Sequence, residues 1–314
     1  MYQSDAAHGL MFHRFHASGS VPKSQGSLNE IEFDLILQNV GIENILSPDE
    51  WLFKVKHNNL QSNDYCITFD DGLKSQYDVV LPILDKYKLK SFWFVFSSVF
   101  NGEIDNNEIH NIFITSYYDF FDDFFDDFIK FSSIPEDLFN RSNYLSFYNS
   151  MSSMFAFYSE NDIKYRFVRN YFFNEFEYSS IMSDMMTAKG TSNLEISKNI
   201  WMDNNNLKNL SNKGHKIGLH SYSHPYVFSR LTKDEQKLEY SLNYEHIKSI
   251  TGKDVECMSH PLNSYSIETI SILNAMNIKC GFRSNMSSEN DVNFIGSNNL
   301  EFPRIDSSDL KALL

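Results

Sequence analysis

The 314-residue chain contains little cysteine, little proline and no long apolar run. Its three cysteines (Cys66, Cys257 and Cys280) form no CxxC pair and no even disulfide framework, which favours a reducing compartment. No stretch approaches the roughly 18 apolar residues of a membrane span, and the first residues lack the basic-then-apolar pattern of a signal peptide. The sequence therefore predicts a cytoplasmic protein with no membrane span.

Basic side chains are also scarce, with 27 Lys and Arg against 41 Asp and Glu, a net charge of −14. Such a surface repels phosphate backbones and anionic lipid headgroups. We therefore expect no nucleic-acid partner and no electrostatic attachment to membranes. A chain of this length buries a substantial core, which excludes disorder as its main state.

The shortage of basic and chemically versatile residues is most pronounced in the middle of the chain. Residues 101–200 hold sixteen acidic and seven basic side chains, a balance of −9, with one histidine and no cysteine. Residues 1–100 and 201–314 therefore carry only −5 and nine of the ten histidines. The sequence predicts a domain made of 1–100 and 201–314, interrupted by a mostly helical, acidic, aromatic-rich insertion at 101–200.

Short apolar strands alternate with amphipathic helices in the two outer segments, which predicts an α/β fold with a mostly parallel sheet or barrel. A capping box of Thr232 and Glu235, with Gly252 as the stop, marks one helix up to Ile250. The other predicted helices are Ser27–Val40, Gln76–Tyr87 and Ser266–Met276. The predicted strands are Leu10–Phe15, Tyr65–Phe69, Ser91–Phe96, Lys216–Leu219, Val255–Met258 and Lys279–Phe282.

The insertion contains the segment YYDFFDDFFDDFIKF, residues 117–131, in which aromatic and acidic side chains repeat with helical spacing. This pattern predicts an amphipathic helix whose aromatic stripe packs in a core and whose aspartates face solvent. Two alternatives remain open. The stripe could form the interface of a homo-oligomer, or it could form a wall over an active site.

Two motifs that carry chemistry each follow an apolar strand directly. Asp70 and Asp71, in TFDDG, are adjacent carboxylates whose repulsion a cation would relieve. His220 and His224, in HSYSH, have the spacing that lets two imidazoles bind one metal ion. Together, one aspartate and two histidines form three protein ligands with positions left open, while the second aspartate supplies a general base. This is the pattern of a catalytic metal site.

The TFDDG motif followed downstream by HSxxH resembles the polysaccharide deacetylase family, the NodB-homology domain of carbohydrate esterases. The resemblance covers the outer segments and implies an irregular (β/α)7-type barrel. It implies that Asp70 is the general base and that Asp71, His220 and His224 bind one divalent metal ion, commonly Zn²⁺. The implied reaction is hydrolysis of an N-acetyl group on a sugar, through polarisation of the amide carbonyl and activation of water.

Further segments resemble parts of this family, with two departures. LMFHRF, which contains His13, is similar to a first-strand segment, and FPRID, which contains Arg304, is similar to a late segment of sugar-biosynthetic members. Ser259-His260-Pro261 lies where the family carries an Arg-x-Pro motif, so Ser259 replaces the arginine that orients the base. Arg283 or Arg304 is a candidate to replace that guanidinium.

The family's late Leu-x-His motif, whose histidine is the general acid in many members, has no match before Leu314. The candidate proton donors to the leaving amine are therefore His13, His16 and His260.

The predicted function is a metal-dependent N-deacetylase acting on an acetamido sugar, carried on a nucleotide or a lipid for surface polysaccharide biosynthesis. Arg14, Arg283 and Arg304 are candidates to meet phosphates of such a carrier. One alternative is hydrolysis of another C–N amide or of an N-formyl bond. Another is a degenerate member that binds carbohydrate without turnover, motivated by the missing arginine and histidine.

Overall fold

The computed structural model describes the chain except for residues 1, 3, 19, 20, 22, 25, 155–157, 199, 226, 287–293 and 297. It divides into two compact units. The first, called the barrel unit, comprises Met1–Glu103 and Asn199–Leu314, and the second, called the insertion, comprises Ile104–Lys198. The insertion thus begins three residues after the predicted start at 101 and ends two residues before the predicted end at 200.

Seven parallel strands form a nearly closed barrel surrounded by helices, so the predicted (β/α)7-type fold is confirmed. The strand order is β6-β5-β4-β3-β2-β1-β7. A parallel bridge between Phe282 and Phe302 links β6 to the residues just before β7 and so brings the two sheet edges together. The strands are β1 (His8–Phe12), β2 (Tyr65–Phe69), β3 (Phe92–Val95), β4 (Lys216–Leu219), β5 (Cys257–Ser259), β6 (Cys280–Phe282) and β7 (Arg304–Asp306).

Helices connect the strands and also build the insertion, which contributes α4 to α9. No helix in the described part of the chain is long and apolar enough to cross a membrane. In chain order the helices are α1 (Glu30–Val40), α2 (Pro48–Lys56), α3 (Leu81–Tyr87), α4 (Asn106–Tyr117), α5 (Phe121–Phe131), α6 (Ser142–Met154), α7 (Glu160–Phe167), α8 (Glu175–Ala188), α9 (Asn193–Ser197), α10 (Asn204–Asn212), α11 (Lys233–Thr251), α12 (Ile267–Ala275) and α13 (Ser307–Leu310).

Local capping signals determine where several helices begin and end. The predicted box at Thr232 is present, since its hydroxyl accepts from the Glu235 amide, and Gly252 ends α11 in the left-handed conformation with φ 68°. Helix α1 begins at Glu30, three residues after the predicted start, because Asn29 accepts from the Glu32 amide and caps it. A cap of this kind stabilises a helix by about 1 kcal/mol.

Strands β3, β5 and β6 lie within two residues of their predicted limits, and two larger differences occur near the ends of the chain. Strand β1 lies at His8–Phe12 and not at Leu10–Phe15, because the chain leaves the sheet after Phe12 and Phe15 bridges to Leu28 instead. Strand β7 has only three residues, too few for a periodic apolar pattern, and was not predicted.

Side chains along β2 point alternately into the barrel interior and towards the surrounding helices. Ile67 and Phe69 belong to the larger core cluster, whereas Cys66 belongs to a smaller cluster with Phe94. With a period of two, Thr68 and Asp70 share the interior side with Cys66. This register directs Asp70 to the end of the barrel interior. All three cysteines are buried and free.

The insertion contains a long aromatic stripe, but the predicted helix over 117–131 is wrong at its start. Helix α4 ends at Tyr117, the backbone is extended at Tyr118 and Phe120, and α5 begins only at Phe121. The stripe of α5 packs in a core, as predicted. Its buried members are Phe124, Phe125 and Phe128.

Candidate metal and catalytic site

Four chemically active side chains meet where strands β2 and β4 end. Asp70 and Asp71 directly follow β2, and His220 directly follows β4. Both strands pair with β3 and run parallel, so their carboxyl ends lie at the same end of the barrel. His224 follows within the same loop as His220.

Asp71, His220 and His224 form a compact cluster of potential metal ligands. The Asp71 carboxylate lies 3.5 Å from Nε2 of His220 and 3.6 Å from Nε2 of His224. One ligand atom from each side chain lies within 4.8 Å of the other two. One carboxylate oxygen and two imidazole nitrogens are a donor set typical of a zinc ion that keeps positions open for water and substrate. The three residues therefore fit a catalytic divalent metal.

The electrostatics of this cluster depend on burial and on the neighbouring charges. Burial alone would raise the pKa of Asp71, but the adjacent imidazoles of His220 and His224 hold it well below its ordinary value. Burial is also the largest influence on His224 and lowers its pKa to about 4. A carboxylate that stays ionised and an imidazole that stays neutral are the protonation states that bind a metal ion.

The backbone around the site adopts conformations that L-residues rarely take. Asp71, Ser221, His224, Leu262 and Asn263 all have φ between 49° and 74° and all follow strands β2, β4 or β5. Left-handed non-glycine residues concentrate at sites where the surrounding structure compensates their strain. The remaining described non-glycine residues with positive φ follow helices and are Asn58, Lys88 and Asn277.

Asp70 is buried and paired with a guanidinium from a distant part of the chain. Nη1 and Nη2 of Arg304 donate to the two carboxylate oxygens of Asp70, each over 2.7 Å. Burial alone would raise the pKa of Asp70, yet Arg304 and then His220 lower it below its ordinary value. Asp70 is therefore an ionised acceptor held in one orientation. Of the two arginines left open by the sequence, Arg304 occupies this position.

A glycine makes room for the Arg304 side chain. Arg304 pairs with Gly9 of β1, and a Cβ at Gly9 would lie 2.9 Å from Cγ of Arg304. The side chain continues along the barrel interior, where Nη1 lies 3.3 Å from the Thr68 hydroxyl. Its Nε donates to the Arg283 carbonyl over 2.8 Å. These contacts fix the guanidinium beneath Asp70.

Ser259, which lies at the position of the family's arginine, connects Asp70 to His220. Its hydroxyl lies 3.2 Å from the Asp70 carboxylate and 2.7 Å from Nδ1 of His220. Its carbonyl also accepts from Nδ1 of His220 over 3.0 Å. Because a carbonyl only accepts, Nδ1 carries a proton, so in neutral His220 the lone pair of Nε2 is available to a metal ion.

The three candidate proton donors lie in different surroundings. Nε2 of His13 lies 3.7 Å from the Asp70 carboxylate, and the His13 side chain is 32% exposed. His16 instead pairs with the Ser27 hydroxyl over 2.9 Å. His260 is 1% exposed, bonds through Nε2 to the Leu300 carbonyl and stacks on a tyrosine ring. Only His13, of these three, combines contact with Asp70 and access to solvent.

Several other candidates for substrate contact are built into the protein interior, which corrects the expectation for them. Ser259, Pro261 and Arg304 are buried. Arg283 is 3% exposed, and its Nε and Nη2 donate to the carbonyls of Glu301 and Met286. The prediction that Arg283 and Arg304 meet phosphates of a carrier is therefore wrong.

Sequence reasoning missed the polar side chains that support the site from helices. Asn243 is fully buried on α11, where its amide oxygen accepts from the His220 backbone. Gln76 is also buried, and its amide donates to the carbonyls of His13 and Asp70. The available signal was a polar residue on the apolar face of a helix, since Asn243 lies between the buried Tyr240 and Ile247.

Comparison with known protein families gives one match. The model of the family described as polysaccharide deacetylase matches residues 57–112 and 188–281. The matched segments contain both aspartates and both histidines of the site, whereas His13 and Arg304 lie outside them. No curated protein sequence matches the chain.

Several solved structures share the fold. The Streptococcus pyogenes deacetylase PplD, determined with acetate, is 17% identical over 96% of this chain and 92% of its own, with a TM-score of 0.55. IcaB from Ammonifex degensii is 14% identical over 99% and 97%, with a TM-score of 0.56. A de-N-acetylase from Aggregatibacter actinomycetemcomitans is 13% identical over 98% and 99%, with a TM-score of 0.54. At these identities the similarity establishes the architecture.

Proposed function

Because the chain belongs to the polysaccharide deacetylase family, we propose that it is a metal-dependent hydrolase that removes an N-acetyl group from an acetamido sugar. The observation that carries this proposal is the Asp71–His220–His224 cluster beside the buried Asp70–Arg304 pair. Ligands, a base and its orienting cation thus lie at one end of the barrel, where such folds place their active sites.

Asp71, His220 and His224 would hold one divalent metal ion, with zinc as the proposed metal because its protein ligands are nitrogen and carboxylate oxygen. When bound, such an ion polarises an amide carbonyl and makes a coordinated water more acidic. The protein prepares these ligands in advance, since Ser259 orients His220 and burial keeps His224 neutral.

Asp70 is the proposed general base. Arg304 and Ser259 direct its carboxylate and keep it ionised, so it accepts a proton from water at neutral pH. A positioned general base contributes about 10²–10⁴-fold to a rate. Arg304 thus orients Asp70, the role that the arginine of the Arg-x-Pro motif has in the family.

His13 is the proposed proton donor to the leaving amine. Its imidazole lies at the solvent side of Asp70, whereas His260 is buried against Leu300. Asp70 would take a proton from the attacking water, and His13 would give a proton to the departing amine nitrogen. The products are acetate and a free amine.

The substrate proposal stops at an acetamido sugar with an unspecified carrier. A nucleotide- or lipid-linked sugar for surface polysaccharide remains a prediction, as does the cytoplasmic location. Neither draws support from Arg283 or Arg304, because these side chains are bound within the protein.

The test combines metal analysis with acetate release from a panel of free, nucleotide-linked and polymeric acetamido sugars. We expect about one divalent ion per chain, lost in Asp71→Asn and His220→Ala, and an inactive but metal-loaded Asp70→Asn. His57→Ala, on an exposed helix end, is the control. Full metal content and activity in Asp71→Asn and His220→Ala would refute the proposal.

The same assay separates the alternative functions. Release of formate or of another amide product without acetate would identify hydrolysis of a different C–N bond. Full metal occupancy with sugar binding and no hydrolysis would identify a carbohydrate-binding protein without turnover.

A further inference from the structure

Helix α11 contacts the loop of the two histidine ligands through one glutamate. One carboxylate oxygen of Glu239 accepts from the backbone amides of Tyr222 and Ser223, each over 2.8 Å, and the other accepts from the Ser223 hydroxyl over 2.7 Å. All three donors lie between His220 and His224. A single side chain thus fixes the centre of the loop that joins the two ligands.

A second side chain on the same helix face holds the beginning of this loop. Asn243 follows Glu239 by four residues, so the two side chains are neighbours on α11. Its amide oxygen accepts from the His220 amide over 2.9 Å, and its amide nitrogen donates to the Val95 carbonyl over 2.9 Å. The ends of β3 and β4 are thereby joined to α11 next to the ligand.

The loop requires this support because its conformation is unfavourable on its own. Ser221 has φ 67° and His224 has φ 53°, a left-handed conformation that is unfavourable for residues other than glycine. The Tyr222 carbonyl is also held, since it accepts from the amides of Ser97 and Ser98. Without the Glu239 contacts, the centre of the loop has amides free to form other bonds and a backbone free to relax.

We propose that Glu239 is a positioning residue for the metal site, holding the His220–His224 loop in the conformation that directs both imidazoles to Asp71. Glu239 itself is not a ligand, and the role rests on the proposed function of the site. The arrangement explains why a carboxylate occupies the α11 face beside the loop. Groups that orient metal ligands change metal affinity by about 10–100-fold when they are removed.

The test measures Zn²⁺ affinity in the full chain by competition with a chelating dye, together with amide exchange of the 220–224 segment in the metal-free protein. Glu239→Ala should bind Zn²⁺ about tenfold or more weakly and should exchange the amides of Tyr222 and Ser223 faster. Glu239→Gln keeps an oxygen that accepts from both amides, so it should retain most of the affinity and protection. Glu245→Ala, exposed on the same helix, should match the wild type in both measurements.

The outcomes separate positioning from a purely structural or electrostatic role. Wild-type Zn²⁺ affinity in a folded Glu239→Ala protein would overturn the proposal. So would equal losses in Glu239→Ala and Glu239→Gln, because charge and not geometry would then matter. If the wild-type chain bound no Zn²⁺, the proposed function would fail. The exchange measurement would then decide the role of Glu239, and unchanged exchange in Glu239→Ala would overturn it.

Discussion

The barrel unit and the insertion bury polar side chains in different ways. At the end of the barrel, Asp70, Arg304, Ser259, His220 and Asn243 are buried and hydrogen-bonded to one another or to nearby backbone. In the insertion, His110 is 3% exposed, and neither of its ring nitrogens has a hydrogen-bond partner within the described residues. The candidate site thus holds its buried polar side chains by hydrogen bonds, whereas His110 in the insertion is held by packing.

The composition of the two units explains this difference. The insertion holds 23 of the chain's 48 aromatic residues within 95 positions, so its core is built largely from rings. His110 packs edge-on against Tyr178 as one more ring. The barrel unit carries nine of the ten histidines, but only −6 of the net charge of −14. Overall acidity is thus a property of the insertion more than of the candidate site.

The largest expected effect comes from breaking the arginine–aspartate pair of the barrel. Arg304→Met leaves Asp70 buried without its cation, so we expect a loss of about 3–5 kcal/mol in the free energy of unfolding. Deacetylation should fall by about 10²–10⁴-fold, because a buried carboxyl without a cation takes up a proton and stops acting as a base. Urea unfolding and acetate release measure the two effects.

The insertion provides the matched control for this substitution. Arg141 makes the same two-bond contact with Asp137, with nitrogen–oxygen distances of 2.9 and 3.0 Å, but on the surface. Since solvent screens exposed pairs, Arg141→Met should leave stability and activity unchanged. Equal effects of the two substitutions would contradict the distinction between the units.

An intermediate effect on the free energy of unfolding is expected when the pH is lowered, because each unit contains a buried histidine. Burial lowers the pKa of both His110 and His215 to about 4, from an ordinary value of 6.5. The unfolded chain therefore binds protons that the folded chain does not, and stability falls as the pH drops from 6.5 towards 4. Each histidine contributes at most about 3 kcal/mol to this loss.

Substitution by phenylalanine should change stability differently at the two histidines. His110→Phe should keep the stability of the wild type at pH 7 and weaken the acid dependence, because His110 is packed as a ring. His215→Phe should also lose about 1–3 kcal/mol at pH 7, because Nδ1 of His215 accepts from the Ser91 amide. Urea unfolding at several pH values measures both, and an unchanged acid slope in both variants would contradict the assignment.

The smallest expected effect is on metal binding when the insertion is removed. All three proposed ligands belong to the barrel unit. Replacing 105–195 by a Gly/Ser linker should therefore preserve Zn²⁺ affinity while changing substrate choice or oligomeric state, both measurable on the purified protein. Loss of Zn²⁺ binding would show that the insertion is required for the barrel site.

Much of the architecture could be predicted because its signals are local. The limits of β2 and β4 follow from apolar runs bounded by polar residues, and the limits of α11 follow from Thr232 and Gly252. The break before α5 could not be predicted, because Tyr118 and Phe120 continue the aromatic repeat although their backbone is extended. Side-chain pattern and backbone conformation disagree at these residues.

The sequence by itself determined which residue types are available for catalysis and which strands they follow. TFDDG and HSYSH are short motifs placed directly after apolar strands, so proximity at one end of a parallel barrel follows from the strand direction alone. Only the tertiary structure decided how these residues are supported. It selected Arg304 over Arg283 as the partner of Asp70, and it brought Glu239 to the ligand loop. These contacts join distant positions through strand register and helix packing, which no local pattern encodes.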